Sequence, residues 1–229
     1  MVPPPILPPR LPSVLGPGDL ALADDASWAG EEIAGSFVGQ QAAHVDVRGC
    51  RLRSARFTGA QLRKLRLADS LVEDSEFSGA VLPDLAATRI EFRRCRMSGL
   101  IVSGGHFLDV RFIECRLDEA NFRMTVWKRA AFSDCVLRGA DFSSAELVGA
   151  RLEDCDLTGA EFSNAQVTGA RLHGSVLDGL RGAVGLSGVV IGTDQVVPLA
   201  LSVFAGLRIR IDDDPENVSG SRRRDQNRP

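Results

Sequence analysis

An apolar residue recurs at every fifth position from Val47 to Leu177, and none of these 27 positions is polar. A period of five matches neither the 3.6-residue period of a helix nor the two-residue period of a strand, so it indicates an internal structural repeat. A second column lies two positions earlier, from Val45 to Ser175, and 21 of its 27 members are Ala, Cys, Ser, Thr or Gly. Alternating large and small inward residues predict a narrow tube filled by its own side chains.

The repeat is clearest in Ala140-Asp-Phe-Ser-Ser, Ala150-Arg-Leu-Glu-Asp and Ala160-Glu-Phe-Ser-Asn. These units resemble the pentapeptide-repeat family, whose consensus is roughly Ala-(Asp/Asn)-Leu-x-x, and the resemblance covers about residues 45–180. It implies an all-β solenoid, a right-handed quadrilateral β-helix in which four pentapeptides form one coil of about 20 residues. A short C-terminal helix/strand cap is expected to close the solenoid.

Charged residues test the coil length independently, because residues i and i+20 would then lie about 4.8 Å apart on neighbouring strands. Between residues 45 and 179, both members of such a pair are charged in 18 cases, and 13 of these pairs have opposite signs. One column alternates in sign throughout: Asp69, Arg89, Asp109 and Arg129. The aromatic residues are expected to stack in the same way, for example Phe112 on Phe132. The charges therefore favour a coil of about 20 residues.

The segment before the repeat has a different composition. Residues 1–18 carry seven prolines, which predicts an extended or disordered arm. Residues 19–44 are acidic and small with isolated apolar residues, and are expected to form an N-terminal cap or first irregular coil. In that coil Trp28 either plugs the open end of the tube or takes part in a surface contact.

After the repeat, residues 181–211 are expected to form a C-terminal cap. It would contain a helix at about 194–206, with Thr193 as a candidate N-cap, and a short strand at Leu207–Ile211. The tail at 212–229 is polar and Arg-rich, and is expected to be disordered.

The predicted C-terminal helix is apolar on more than one face. A helix that only covers the end of a rod would keep one polar side, so this helix is a possible dimerisation element. Related family members dimerise through C-terminal elements, and the resemblance therefore implies a homodimer; a monomer with the helix tucked into the cap is the alternative. The candidate dimerisation residues are Val196, Val197, Leu199, Leu201, Val203 and Phe204.

The cysteines point to a structural role. All five lie in the small inward column, where free cysteine behaves as a small hydrophobic residue: Cys50, Cys95, Cys115, Cys135 and Cys155. The column has no CxxC spacing and no histidine, so neither a metal nor a cofactor is expected. Free cysteines favour a reduced, cytoplasmic protein, and neither a membrane span nor a secretory signal is recognisable.

Residues with catalytic chemistry are scattered. None of His44, His106 and His173 has a cysteine or carboxylate at the spacing of a nucleophile pair or a metal site. General acid–base catalysis also needs a concave, partly dry site, which the flat faces of a β-helix do not offer. We therefore expect a protein that is not an enzyme.

Charge is distributed unevenly along the repeat. Residues 45–129 contain 16 Lys/Arg and 11 Asp/Glu, a net charge of +5, whereas residues 130–179 contain 3 and 8, a net charge of −5. Like charges on neighbouring strands are destabilising, so an acidic column in the second half indicates either a cationic partner or a face screened by solvent. The candidate interaction surface consists of Glu114, Asp134, Asp154, Glu153, Asp156, Asp141 and Glu161.

Some members of the pentapeptide-repeat family resemble a DNA rod, bind DNA gyrase and protect it from fluoroquinolones. The resemblance thus implies a protein-binding rod. More specifically, it implies a DNA mimic that binds a type II topoisomerase and confers quinolone protection. The repeat departs from a strong mimic because it is less acidic, with 19 basic and 19 acidic residues over 45–179. The alternative is a structural or scaffold protein that recruits an unidentified partner through its arm or tail. Direct binding of nucleic acid is not expected at a net charge of −3.

Overall fold

A computed structural model describes residues 5–18 and 21–210 of the chain. These residues form a parallel β-solenoid of about six turns that ends in one short helix. Helix α1 spans Val196–Gly206 and follows 3₁₀ turns at Ala183–Gly185 and Thr193–Gln195. The strands are β1 (Gly16–Gly18), β2 (Ser27–Ala29), β3 (Glu31–Ile33), β4 (Gln41–Ala43), β5 (Asp46–Arg48), β6 (Arg51–Arg53), β7 (Gln61–Arg63), β8 (Arg66–Ala68), β9 (Leu71–Glu73), β10 (Ala86–Arg93), β11 (His106–Ile113), β12 (Val126–Ser133) and β13 (Arg151–Glu153).

Neighbouring coils are parallel and pair residues that are 20 positions apart, except in the first coil and in the last, where Arg171 pairs with Val190. In the longest strands Phe92 pairs with Phe112, and Phe112 pairs in turn with Phe132. Isolated β-bridges continue this register on the other sides of the solenoid, for example between Arg116 and Val136. The first coil is one residue shorter, since Trp28 pairs with Val47. The quadrilateral β-helix expected from the sequence is confirmed.

The corners of the solenoid explain why glycine and small polar residues recur between the apolar centres. One residue at each corner has a positive φ, such as Gly59 at 64°, Asp69 at 50° and Asn164 at 59°. Glycine, asparagine and aspartate adopt this left-handed conformation at the lowest cost. Corner residues therefore form columns that run along the rod, one residue per coil.

Stacked aromatic rings fill the interior. The ring centroids of Phe92 and Phe112 lie 4.7 Å apart, and those of Phe112 and Phe132 lie 4.8 Å apart. This spacing equals the separation of neighbouring strands, so the register of the backbone brings the rings into contact. Rings on adjacent sides meet edge to face, as Phe122 and Phe132 do at an interplanar angle of 66°. At the N-terminal end Trp28 is buried against Phe37 and extends this core into the first coil.

The proline-rich segment differs from the disordered arm that was expected. Residues 5–18 lie along the outside of the rod, and strand β1 pairs in parallel with β3. Main-chain groups of Leu7 and Arg10 donate hydrogen bonds to carboxylates more than 50 positions further along the chain. The segment is extended, as its prolines indicate, but it is held by side chains of the solenoid.

The C-terminal cap contains the expected helix but not the expected strand. Residues 207–209 donate their main-chain N–H groups back to Val203, Ala205 and Phe204, which satisfies the last carbonyls of α1 and leaves residues 207–210 outside any sheet. Thr193 starts a 3₁₀ turn instead of capping it, and Gln195 accepts a hydrogen bond from the N–H of Gly192. The side-chain amide of Gln195 also donates to the carbonyls of Leu172 and Ser175 and so anchors the helix on the last coil.

Ile211 and the expected disordered tail at 212–229 lie outside the described residues. Within the ranges that are described, there is no helix with both the length and the apolar character needed to cross a membrane.

Candidate interaction surface

Glu114, Asp134 and Asp154 occupy the same corner of three successive coils. Each has a positive φ, at 54°, 54° and 55°, and each side chain is exposed. Their main chains are joined from coil to coil: the N–H of Glu114 donates to Ser133 at 3.0 Å and that of Asp134 to Glu153 at 3.3 Å. We call these three residues the acidic corner. Their backbones repeat at about 4.8 Å, so three like charges lie one above the other.

The neighbours of the acidic corner define its length. On the two preceding coils of the same corner, the guanidinium of Arg94 donates hydrogen bonds to both carboxylate oxygens of Asp74, at 2.8 and 3.2 Å. On the following coil the corner residue is Gly174, and any Cβ there would lie 2.0 Å from Oδ1 of Asp154. Among the described residues, Glu114, Asp134 and Asp154 form no ion pair; Arg94 lies one coil before Glu114 and interacts with it electrostatically, but its guanidinium is bound to Asp74. The acidic corner is therefore a bounded stretch of three unpaired carboxylates.

The other four acids of the candidate surface are in a different situation, because each is paired with an arginine of the same chain. The structure thus separates the seven predicted residues into three unpaired and four paired carboxylates. The pairs and their N–O distances are Arg171–Glu153 (3.8 Å), Arg138–Asp156 (2.6 Å), Arg123–Asp141 (3.6 Å) and Arg181–Glu161 (3.5 Å).

The alternating column of the first half is arranged as two strong pairs. Arg89 forms two hydrogen bonds with Asp69, both at 2.5 Å, and Arg129 forms two with Asp109, both at 2.6 Å. The guanidinium of Arg129 holds the pKa of Asp109 below its usual value, and Arg89 does the same for the pKa of Asp69. The side chain of Asp109 is only 1% exposed, so this column is neutralised and largely covered.

Comparison with known proteins agrees with this geometry. A profile described as "Pentapeptide repeat region" matches residues 105–181, the stretch that contains the acidic corner. The same five-residue unit and the same register extend to the coils outside that match. Residues 105–181 of this chain are therefore similar to the pentapeptide-repeat family. None of the curated proteins matches its sequence.

Solved structures similar to this protein are identical to it at about a fifth of the aligned positions. One is HetL, a pentapeptide repeat protein involved in heterocyst differentiation regulation in the cyanobacterium Nostoc sp. strain PCC 7120, with 19% identity over 69% of this chain and 90% of HetL, and a TM-score of 0.38. Another is a trypsin-treated form of QnrB1, a plasmid-mediated fluoroquinolone resistance protein, with 21% identity over 83% of this chain and 99% of QnrB1, and a TM-score of 0.36. A third is a pentapeptide repeat protein of the Arabidopsis thaliana thylakoid lumen, with 22% identity over 59% of this chain and 86% of that protein, and a TM-score of 0.24.

The thiols of this protein are free and buried in the interior. Each of the five donates to the main-chain carbonyl two positions earlier, at 3.3–3.4 Å. Burial raises the pKa of the Cys50 thiol, which keeps it protonated at neutral pH. Among the described residues, no three His, Cys, Asp or Glu side chains come together in an arrangement that could hold a metal ion.

Helix α1 has an inner and an outer face. Leu199 and Val203 pack against the core, and Ser202 is buried with them. The outer face carries Val197, which is 66% exposed, and Leu201, which is 51% exposed. The six candidate dimerisation residues are therefore divided between the faces: Val196, Val197, Leu201 and Phe204 are exposed, whereas Leu199 and Val203 are half-buried.

Proposed function

We propose that this protein is a non-enzymatic rod that binds a protein partner through its acidic corner. The observation that carries the proposal is the contrast between Glu114, Asp134 and Asp154, which are exposed and unpaired, and the other four acids of the candidate surface, which have arginine partners. Like charges on neighbouring strands destabilise a sheet. A cationic surface that docks on this corner would remove that cost on binding and would form charge-assisted hydrogen bonds.

The shape of the rod suits such a contact. Because its coils are fixed by strand pairing, the three carboxylates are held at a constant spacing of about 4.8 Å and lose little conformational entropy on binding. Residues 130–179 carry a net charge of −5, so the field around this half would attract a cationic partner over a longer range. The opposite charge of residues 45–129 would orient the rod with its C-terminal half towards that partner.

The partner that this proposal names is DNA gyrase. Its DNA-binding channel is built to hold a negatively charged rod, and members of the pentapeptide-repeat family are similar to such a rod in shape. In this account the protein enters the channel in place of DNA, which prevents a fluoroquinolone from trapping gyrase on cleaved DNA. Gyrase is cytoplasmic, so the proposal implies a cytoplasmic protein.

Supercoiling and drug-stabilised cleavage by purified gyrase test this function. The wild-type protein should alter supercoiling and reduce cleavage complexes, and the double reversal Asp134→Lys/Asp154→Lys should require at least a tenfold higher concentration. Lys64 already has a φ of 54° at another corner, so lysine is compatible with this backbone. The matched control is Glu146→Lys/Asp178→Lys, which makes the same charge change at exposed residues away from the acidic corner.

The outcomes separate the partner from the surface. A wild-type protein without effect on gyrase would end the gyrase proposal. Equal loss in both double variants would show that total charge matters and that the acidic corner is not the contact. A scaffold protein, the alternative function, predicts instead that partner capture depends on residues 1–18 or 212–229 and is insensitive to both reversals.

We also propose that two copies associate through the outer face of α1. The exposed residues Val196, Val197, Leu201 and Phe204 form an apolar surface at the end of the rod, and a two-fold contact would bury it against itself. Light scattering after gel filtration should give twice the monomer mass for the wild type and the monomer mass for Val197→Glu/Leu201→Glu. A monomeric wild type at 100 µM would contradict the dimer.

A further inference from the structure

The N-terminal arm follows one corner of the solenoid. It lies on the corner that contains Asp69, Arg89, Asp109 and Arg129, next to the corner that holds the acidic residues. The N–H of Arg10 donates to Oδ1 of Asp69 at 3.3 Å, and the N–H of Leu7 donates to Oδ1 of Asp109 at 3.1 Å. Beyond the Leu7 contact, the guanidinium of Arg111 donates to the carbonyl of Ile6 at 2.6 Å. All three bonds recognise main-chain groups of an extended peptide.

The spacing of these bonds fits a polyproline helix. Asp69 and Asp109 are two coils apart, which corresponds to about 9.6 Å along the rod. Leu7 and Arg10 are three residues apart, which corresponds to about 9.3 Å in a polyproline II helix, and a repeat of three places both N–H groups on one side. The intervening Pro8 and Pro9 have no N–H group, so the peptide leaves no donor without a partner between the two contacts.

Two apolar contacts fix the ends of this register. Ile6 is only 5% exposed, although it is separate from the central core of the solenoid. Pro12 packs on the corner glycines of the first coils: a Cβ on Gly49 would lie 3.2 Å from Cδ of Pro12, and one on Gly30 would lie 3.6 Å from its Cγ. Glycine at these corners therefore leaves room for the peptide, in addition to allowing the positive φ.

The carboxylates beneath the arm are also held by the solenoid itself. Asp69 and Asp109 are already held by bidentate contacts with Arg89 and Arg129, so the arm uses carboxylate lone pairs that are fixed in advance. A fixed acceptor array and a peptide that is extended in the free state both reduce the entropy lost on binding. A peptide-binding site has these properties. An arm that served only to stabilise the fold would not need N–H donors whose spacing matches that of the coils.

We propose that this corner is a recognition site for extended, proline-rich segments, and that the chain's own residues 6–10, Ile-Leu-Pro-Pro-Arg, are its resident ligand. A partner segment would need an aliphatic residue, two prolines and N–H donors three residues apart. The arm masks the site until such a segment displaces it. The site is independent of the proposed function, because it uses a different corner and recognises main-chain groups instead of a cationic surface.

Full-length protein with an opened arm tests the proposal. The opened variant, Ile6→Asp/Leu7→Pro, removes the buried anchor and one N–H donor and keeps Arg10 as a trypsin site. The second variant is Leu7→Pro alone, which loses little packing because Leu7 is 40% exposed. Cleavage after Arg10 should accelerate at least tenfold in the opened variant. Unchanged cleavage would show that these contacts do not hold the arm, and would overturn the proposal.

A labelled peptide of residues 4–13 then measures binding by fluorescence anisotropy. It should bind the opened variant at least tenfold more tightly than the wild type, whose site is occupied. The control peptide has proline at the positions of Leu7 and Arg10, so it lacks both donors and should not bind. No binding to the opened variant, or equal binding of the two peptides, would show that the corner is not a recognition site.

Discussion

Phe112 and Phe132, which are 20 residues apart, stack with their ring centroids at 4.8 Å and their planes within 3° of each other. Both rings are buried, so each removes apolar surface of the next coil from water. In a solenoid each coil packs only on its neighbours, and the loss of one ring therefore weakens two interfaces.

Phe132→Ala should lower the free energy of unfolding by about 3–5 kcal/mol, because it leaves a cavity in the stack. Denaturant unfolding followed by circular dichroism measures this loss. The control is Val148→Ala, a truncation at a residue that is 56% exposed, and it should change stability by less than about 0.5 kcal/mol. Similar losses in both variants would contradict the stacked core.

Asp109 and Arg129 should make stability depend on pH in the acidic range. Arg129 lowers the pKa of Asp109 in the folded state, so the pair contributes stability above the unfolded pKa of about 3.9 and loses it as the pH falls through the lower folded value. Asp109→Asn should cost about 2–3 kcal/mol at pH 7 and flatten the decline of stability below pH 4. The control is Asp178→Asn, at an exposed residue. If the stability of Asp109→Asn fell below pH 4 as steeply as that of the wild type, this pair would not be the source of the pH dependence.

Asp134 should be a site where stability can be gained. Asp134→Asn removes the central charge of the acidic corner, and asparagine tolerates the positive φ of 54°. We expect a gain of about 0.5 kcal/mol at low ionic strength that disappears near 1 M salt, where the charges are screened. Glu146→Gln removes an exposed charge elsewhere and should have a smaller effect. A loss of stability, or a gain that is independent of salt, would indicate that the three carboxylates do not repel one another.

Gly182 should be irreplaceable at the junction between the solenoid and the C-terminal cap. A Cβ there would lie 2.4 Å from the main-chain nitrogen of Ser163, and the residue has a φ of +71°. Gly182→Ala should therefore cost more than about 2 kcal/mol. Gly185→Ala is the matched control, since a Cβ at Gly185 meets no atom within 4 Å. Thermal unfolding of both variants measures the difference, and equal melting temperatures would contradict the close approach at Gly182.

The architecture could be predicted because a solenoid repeats one local rule. The five-residue period located the interior, and the alternation of Asp69, Arg89, Asp109 and Arg129 indicated the length of a coil. Individual ion pairs were harder to predict. Arg138 binds Asp156, which is 18 positions away and not 20, because a long arginine side chain reaches diagonally across the sheet.

Contacts that depend on main-chain groups left no signal in the sequence. The prolines of residues 1–18 predict an extended or disordered chain, but they give no sign of the bonds from Leu7 to Asp109 and from Arg10 to Asp69, which connect positions without any repeat relationship. Leu207–Ile211 alternates like a strand, whereas its first N–H groups satisfy the end of the preceding helix. In the candidate surface, the sequence identified the acidic column but not the arginines that pair with its four neighbours.

The most direct test of the account is the affinity of gyrase for the wild type, for Asp134→Lys/Asp154→Lys and for Glu146→Lys/Asp178→Lys, measured by titration at two salt concentrations. Docking of the acidic corner on a cationic surface predicts that the first pair of substitutions weakens binding at least tenfold and reduces its salt dependence, and that the second pair does neither. Binding that is equally strong in all three proteins would contradict it.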